Sequence, residues 1–222
     1  NADTESQNYG MTSSDDCYDY DQHWVISKND VEAYVNYMDC VNDATCDETT
    51  IFPNYETPDV ISNWPASHFD FDGTNEYLAP FVDVDGDGEY NNSDYPGYDL
   101  NAEGNCSEDD YLFGDQSIWW VFNDAGNYHG ETGGAAIGVE IQAQAFAYKT
   151  NDELSDMTFY SYKIINRSTE TLNDTYFGQW VDPDIGNYED DYVGCDVNLG
   201  LGYCYNGDDD DNGLQGSAGY GT

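Results

Sequence analysis

Residues 137–149 read Ile137-Gly138-Val139-Glu140-Ile141-Gln142-Ala143-Gln144-Ala145-Phe146-Ala147-Tyr148-Lys149. Ile137, Val139, Ile141, Ala143, Ala145 and Ala147 fall on one face, and Glu140, Gln142 and Gln144 on the other. That period of two predicts a β-strand. Residues 157–167, MTFYSYKIINR, predict the next strand, with Thr150 to Asp156 as the hairpin connection. Upstream, Ile118-Trp119-Trp120-Val121-Phe122 is a β-rich run. Downstream, residues 172–182 (LNDTYFGQWVD) follow the turn Ser168–Thr171 and predict a strand, as do residues 199–205 (LGLGYCY). No helical periodicity interrupts the series after Asp115. The expected fold is mainly β: an antiparallel β-sandwich, Ig-like or jelly-roll-like, over residues 115–222. Before it, residues 1–114 are expected to form a loop-rich, acidic region carrying one short helix. One continuous domain is the alternative division.

The helix is read from Ser27-Lys28-Asn29-Asp30, a capping box with Asp in place of Glu or Gln. Val31, Tyr34, Val35 and Met38 follow at helical spacing and predict a helix over residues 28–38. Pro53, Pro58 and Pro65 predict irregular chain through residues 39–68.

The charge is lopsided. Forty-six acids against 4 bases give a formal net charge of −42. Such a surface repels nucleic acid and anionic lipid, which need clustered Lys and Arg. No run of apolar residues is long enough to cross a membrane, so neither nucleic-acid binding nor membrane insertion is expected. Aromatics make up 16% of the chain, so it can build a core despite its charge. Self-repulsion on this scale calls for bound cations or a salty medium. The six cysteines show no zinc spacing. Their even number in an acidic chain, together with the ligand-spaced acidic loop at residues 83–94, points to an oxidising, extracellular setting. Two local disulfides are expected, Cys40–Cys46 and Cys195–Cys204; Cys17 and Cys106 are left open.

Asp83-Val84-Asp85-Gly86-Asp87-Gly88-Glu89-Tyr90-Asn91-Asn92-Ser93-Asp94 carries the ligand order of an EF-hand-type calcium loop. Asp83, Asp85 and Asp87 take the first, third and fifth places. Gly88 makes the turn at the sixth, Glu89 offers its backbone carbonyl at the seventh, and Asp94 closes the loop where Glu is usual. No flanking helix pair is expected, so the pattern predicts an isolated loop. Less complete patterns mark further candidate cation sites. One is the turn Asp70–Glu76. Another joins Asp182 and Asp184 to Asp190 and Asp191. A third runs through Asp208, Asp210 and Asn212, where the twelfth place is Gly219. His23, His68 and His129 lack metal-spaced companions, and the zincin, nucleophile-elbow and phosphate-loop motifs are absent. With so many acids, a carboxylate pair at glycosidase spacing carries no specificity. Trp119, Trp120, Trp180, Tyr160 and Tyr162 would stack on sugars if exposed, and otherwise form core.

The segments NWPASHFDFDGTNEYLAPFVDVDGDGEYNNSDYP, GDQSIWWVFNDAGNYH, IGVEIQAQAFAYKTNDELSDMTFYSYKIINRS and DTYFGQWVDPDIGNYEDDYVGCDVNLGLGYCYNGD resemble a family of large secreted surface proteins of Bacteroidota. The resemblance covers roughly residues 17–222, and many such proteins end in a type IX secretion sorting domain. It implies export and residence at the cell surface or outside the cell, and it implies that the chain is a piece, or the ordered part, of a larger protein. It implies little chemistry. The leading expectation is a non-enzymatic, calcium-stabilised structural or adhesive module, which as one form would be the subunit of a surface fibre. The alternatives are a carbohydrate-binding module recognising surface glycans and a secreted hydrolase with an acidic dyad.

Overall fold

The computed structural model describes residues 18–69, 75–100, 111–124, 129–186 and 188–207. The chain divides into two compact units, residues 1–171 and 172–222. The boundary thus lies after the long hairpin rather than near residue 114. The reason is a strand from the N-terminal region. β1 (Trp24–Ser27) pairs antiparallel with β6 (Gln116–Asn123), Trp24 opposite Trp119 and Ile26 opposite Ser117. β7 (Val139–Ala147) and β8 (Phe159–Asn166) complete a four-stranded sheet in the order β1-β6-β7-β8.

Between β1 and β6 the chain builds a second layer. Helix α1 (Lys28–Asn42) starts at Ser27, whose Oγ accepts the Asp30 N–H at 3.1 Å and donates to the Asp30 carboxylate at 2.6 Å. The expected capping box is therefore present in its Asp form. The helix runs four residues past the expected end. The Cys40–Cys46 disulfide, with Cα atoms 5.3 Å apart, clips its last turn to the following loop. Short helices α2 (Glu48–Ile51) and α3 (Asp59–Ser62) interrupt the chain expected to be irregular. Two small antiparallel ladders follow. β2 (Ser67–Phe69) pairs with β3 (Asn75–Tyr77), and β4 (Phe81–Val82) pairs with β5 (Tyr95–Pro96). The result is mainly β, antiparallel and sandwich-like, without a closed barrel.

Trp24 and Ile26 of β1 and Trp119 of β6 form the sheet's share of the core. Val31 and Tyr34 of α1, Ile61, Trp64, Tyr95 and Tyr98 meet them from the other layer. Side chains alternate across a sheet, and the registers fix what shares the Trp119 face of β7. It is Gln144, opposite Trp119, and Gln142, opposite Val121. Both glutamines are buried. Gln144 Nε2 donates to the Tyr111 carbonyl at 2.8 Å, and Gln142 Nε2 donates to the Tyr77 carbonyl at 3.3 Å. The polar side of the alternating strand therefore faces inward, where the two glutamine amides tie the loop layer to the sheet and each buried nitrogen finds a carbonyl.

The apolar side faces outward. One row runs Val25, Ile118, Ala145, Tyr160. Beside it lie Trp120, Ala143 and Tyr162, and then Phe122, Ile141 and Ile164. Tyr160 and Tyr162 stack at 6.3 Å with their planes 7° apart. The β7–β8 connection is a single 3₁₀ turn, Glu153–Asp156, capped by Asp152.

In the second unit, β9 (Asp191–Asp196) and β10 (Leu201–Asn206) form an antiparallel hairpin. Residues 172–182, expected as a strand, pair with no described strand. Aromatic alternation supplied side chains suited to a sheet, but Gly178 and the turn-forming Asn173-Asp174 weaken the extended run, and Asp174 takes a positive φ of 49°.

Candidate metal centre

The acidic loop joins β4 to β5, so both of its ends are fixed by one short ladder, Val82 opposite Tyr95. Inside, the first-place carboxylate organises the backbone. Asp83 Oδ1 accepts the Gly86 N–H at 2.7 Å and the Asp87 N–H at 3.2 Å, and Asp83 Oδ2 accepts the Gly88 N–H at 2.8 Å. Asp87 Oδ1 accepts the Glu89 N–H at 2.8 Å. These turns need left-handed backbone at the sixth place. Gly88 supplies it with φ +80°. The chain then coils so that one oxygen each from Asp83, Asp85 and Asp87 lies within 4.8 Å of the others. Such a group can hold a metal ion.

Asn91, at the ninth place, donates its amide nitrogen to Asp85 at 3.1 Å and to Asp87 at 3.4 Å. The positive end of an amide dipole thus stands between the carboxylates. Ser93 Oγ donates to Asp85 at 2.9 Å. These two hydrogen bonds hold the Asp85 carboxyl below the usual carboxylate range.

Asp94 has another role. It is 0% exposed. Its Oδ1 accepts the Val84 N–H and its Oδ2 the Asn91 N–H, both at 2.8 Å. It therefore bolts the start of the loop to its end and lies outside the group of three that converge. Burial pushes its pKa up, the two backbone N–H donors pull it down, and the charges of Asp85 and Asp83 add to the rise. The loop is further seated by Tyr34 Oη donating to the Asn92 carbonyl, Tyr90 Oη donating to the Ile61 carbonyl at 2.7 Å, and Tyr77 Oη donating to the Gly88 carbonyl at 3.2 Å. The sequence pattern did not reveal these three tyrosine anchors, because phenols distant in sequence carry no ligand spacing. The expected ligand role of Glu89 rests on its backbone carbonyl, and its side chain takes no part in the converging group.

The other expected cation sites fare differently. Among the described residues, Asp182, Asp184, Asp190 and Asp191 do not converge into a metal-holding group. Asp191 instead accepts the Ile185 N–H at 2.7 Å through Oδ2. Its Oδ1 and the side-chain amide of Asn206, opposite it in the ladder, are shut from solvent without a hydrogen-bond partner. Asp208, Asp210 and Asn212 lie outside the described residues, as do residues 70–74 of the other acidic turn and both Cys17 and Cys106.

The expected Cys195–Cys204 bond is corrected by the register. Cys195 lies opposite Gly202 and Cys204 opposite Val193. The two sulfurs share a face but sit on a diagonal, at a Cα spacing of roughly 7–8 Å that a disulfide does not span. Both are free thiols. Partial burial, reinforced by the Asp191 charge, pushes the Cys204 thiol up. On the opposite face of the hairpin, Tyr192 and Tyr205 stack at 6.0 Å. The Tyr203 ring lies across Gly194, where a Cβ would come within 2.5 Å of it.

No helix among the described residues is long and apolar enough to cross a membrane. No family model, curated protein or solved structure matches the chain.

Proposed function

We propose that this chain is a non-enzymatic, calcium-stabilised structural or adhesive module of an extracellular bacterial surface protein, as one form the repeating subunit of a surface fibre. The observation that carries the reading is the convergence of Asp83, Asp85 and Asp87 within 4.8 Å, in EF-hand ligand order, on a loop pinned at both ends. Hard oxygen donors of this number and flexibility suit calcium better than magnesium, which demands tighter octahedral geometry. The Glu89 carbonyl and the Asn91 side chain, rotated to present its oxygen, would complete the shell, with Asp94 holding the frame. The ion's part is to neutralise a loop whose carboxylates otherwise repel one another, fastening the loop layer onto the sheet. Isothermal titration with calcium and with magnesium tests the site. Calcium binding that Asp85→Ala abolishes and Asp182→Ala spares supports it, and equal loss in both variants sinks it.

A glycan-binding reading has its own support in the second unit. Tyr192, Tyr203 and Tyr205 are each about half exposed, and the Tyr203 ring, which crosses Gly194, keeps surface open for a sugar. Screening against a glycan array with Tyr203→Ala as control decides this reading. Binding to no glycan, or binding that the variant leaves intact, removes it.

A further inference from the structure

We propose that the outward face of the β1-β6-β7-β8 sheet is a contact through which two copies of this chain associate face to face. The chain carries 46 acids in 222 residues, yet no outward position on these four strands bears a charge. Val25, Phe122, Tyr160 and Ile164 are each between 44% and 51% exposed there. An apolar sheet face left to water is unusual in a chain this polar, and it marks an interaction surface.

Charge and area together favour a second copy as the occupant. Two chains of this charge can approach without stripping water from carboxylates only where carboxylates are missing, and this face is such a place. Four strands of this length, with aromatic relief, offer on the order of 600 Å² per copy, so a pair buries roughly 1,200 Å², the lower end for specific association. A four-stranded sheet face can meet its own copy across a two-fold axis, sheet on sheet at about 10 Å. This closed contact differs from the head-to-tail contact that a fibre requires. It uses no residue of the Asp83–Asp94 loop, so it stands or falls separately from the ion site.

The electrostatics give the proposal a signature. Association driven by apolar burial against like-charge repulsion strengthens as salt rises, opposite to association by ion pairing. Analytical ultracentrifugation of the whole chain, over a wide range of concentration and at low and high sodium chloride with calcium held constant, reads it directly. The expected result is a reversible dimer whose association constant rises with salt. Ile164→Asp is expected to weaken it at least tenfold, whereas Leu154→Asp, at an exposed apolar residue outside the sheet, leaves it unchanged. Circular dichroism checks that Ile164→Asp folds. If it does not, hydrogen exchange of the wild-type β8 peptide takes its place, with slower exchange expected at high concentration. A monomer at every concentration and salt overturns the proposal. So does a dimer that tolerates Ile164→Asp, or one whose β8 exchange is independent of concentration.

Discussion

Two turns of this molecule have nearly the same composition and opposite outcomes. The loop Asp83–Asp94 and the turn Asp182–Asp191 each gather four or more acids beside glycine within about a dozen residues. In the first, three carboxylates converge within 4.8 Å; in the second, none of the described acids join such a group. The difference lies in what holds the backbone. Asp83 alone accepts three backbone N–H groups, and the buried Asp94 accepts two from opposite ends of its loop. At the second turn Asp191 accepts one, from Ile185, and leaves an oxygen enclosed without a partner. Acid density attracts cations in general. A defined pocket requires carboxylates that first fold their own backbone.

The strongest blow to this contrast is Asp94→Ala. It orphans two backbone donors in a buried position and is expected to cost about 2–4 kcal/mol in urea denaturation. Asp191→Ala removes one hydrogen bond and should cost about 1 kcal/mol or less. Similar losses in the two variants would erase the distinction between the turns.

Calcium comes next. A single site at a hundredfold excess over its dissociation constant stabilises the folded state by about 2.7 kcal/mol, or roughly 5–10 °C in melting temperature for a chain of this size. Chelation at constant ionic strength should remove that gain, and added sodium chloride should restore little of it. A melt that sodium chloride rescues as well as calcium does would reduce both turns to solvated acidic surface.

A smaller effect separates the glycines. Gly88→Ala places a Cβ on backbone at φ +80°, near the Tyr77 hydroxyl. The left-handed strain is about 1–2 kcal/mol, and calcium affinity, read by titration, should fall with it. Gly186, at φ +63° in the second turn, should show similar strain as Ala without any change in calcium affinity.

The finest test is pH. Burial raises the Asp94 pKa in the calcium-free protein. Its contribution is therefore fully present below the unfolded carboxylate value of about 3.9 and is lost as pH rises through the raised folded value. Asp85 has the opposite sign. Its pKa is lowered, so its contribution is present above the unfolded value and is lost as pH falls through the folded one. Calcium binding at the converging group needs Asp85 ionised, and Asp94 braces that group best when it too is ionised. The gap in melting temperature between calcium-loaded and calcium-free protein should therefore narrow as pH falls through the raised Asp94 value, and close further as Asp85 protonates below the unfolded carboxylate value. A gap that stays constant would place the ion elsewhere.

Much of this could be read from residues in order. Period two found β6, β7 and β8, and the Ser27–Asp30 box found α1, because each signal is local. The loop emerged from ligand spacing for the same reason. The inward turn of Gln142 and Gln144 did not, since alternation defines two faces without saying which one meets the core. Here the hydrogen-bonding demand of backbone carbonyls at Tyr77 and Tyr111 settled it. Proximity in sequence likewise favoured a Cys195–Cys204 bridge, and a diagonal register prevents it. Asp94 was read as a ligand from its place in the loop, and burial made it a brace.

The pairing of β1 with β6 also sets a schedule. Trp24 and Ile26 find their sheet partners only when the chain has run to Ser117 and Trp119. Lys28 N–H then meets the Asp115 carbonyl at 2.9 Å and closes the base of everything between. During synthesis at about 5–20 residues per second, those roughly 90 intervening residues wait some 5–20 seconds for their closing strand. Throughout that interval the acidic loop exists without its sheet. Without a bound cation, the repulsion of Asp83, Asp85 and Asp87 would hold the loop open through that interval. The same carboxylates that converge in the finished fold would then slow its completion.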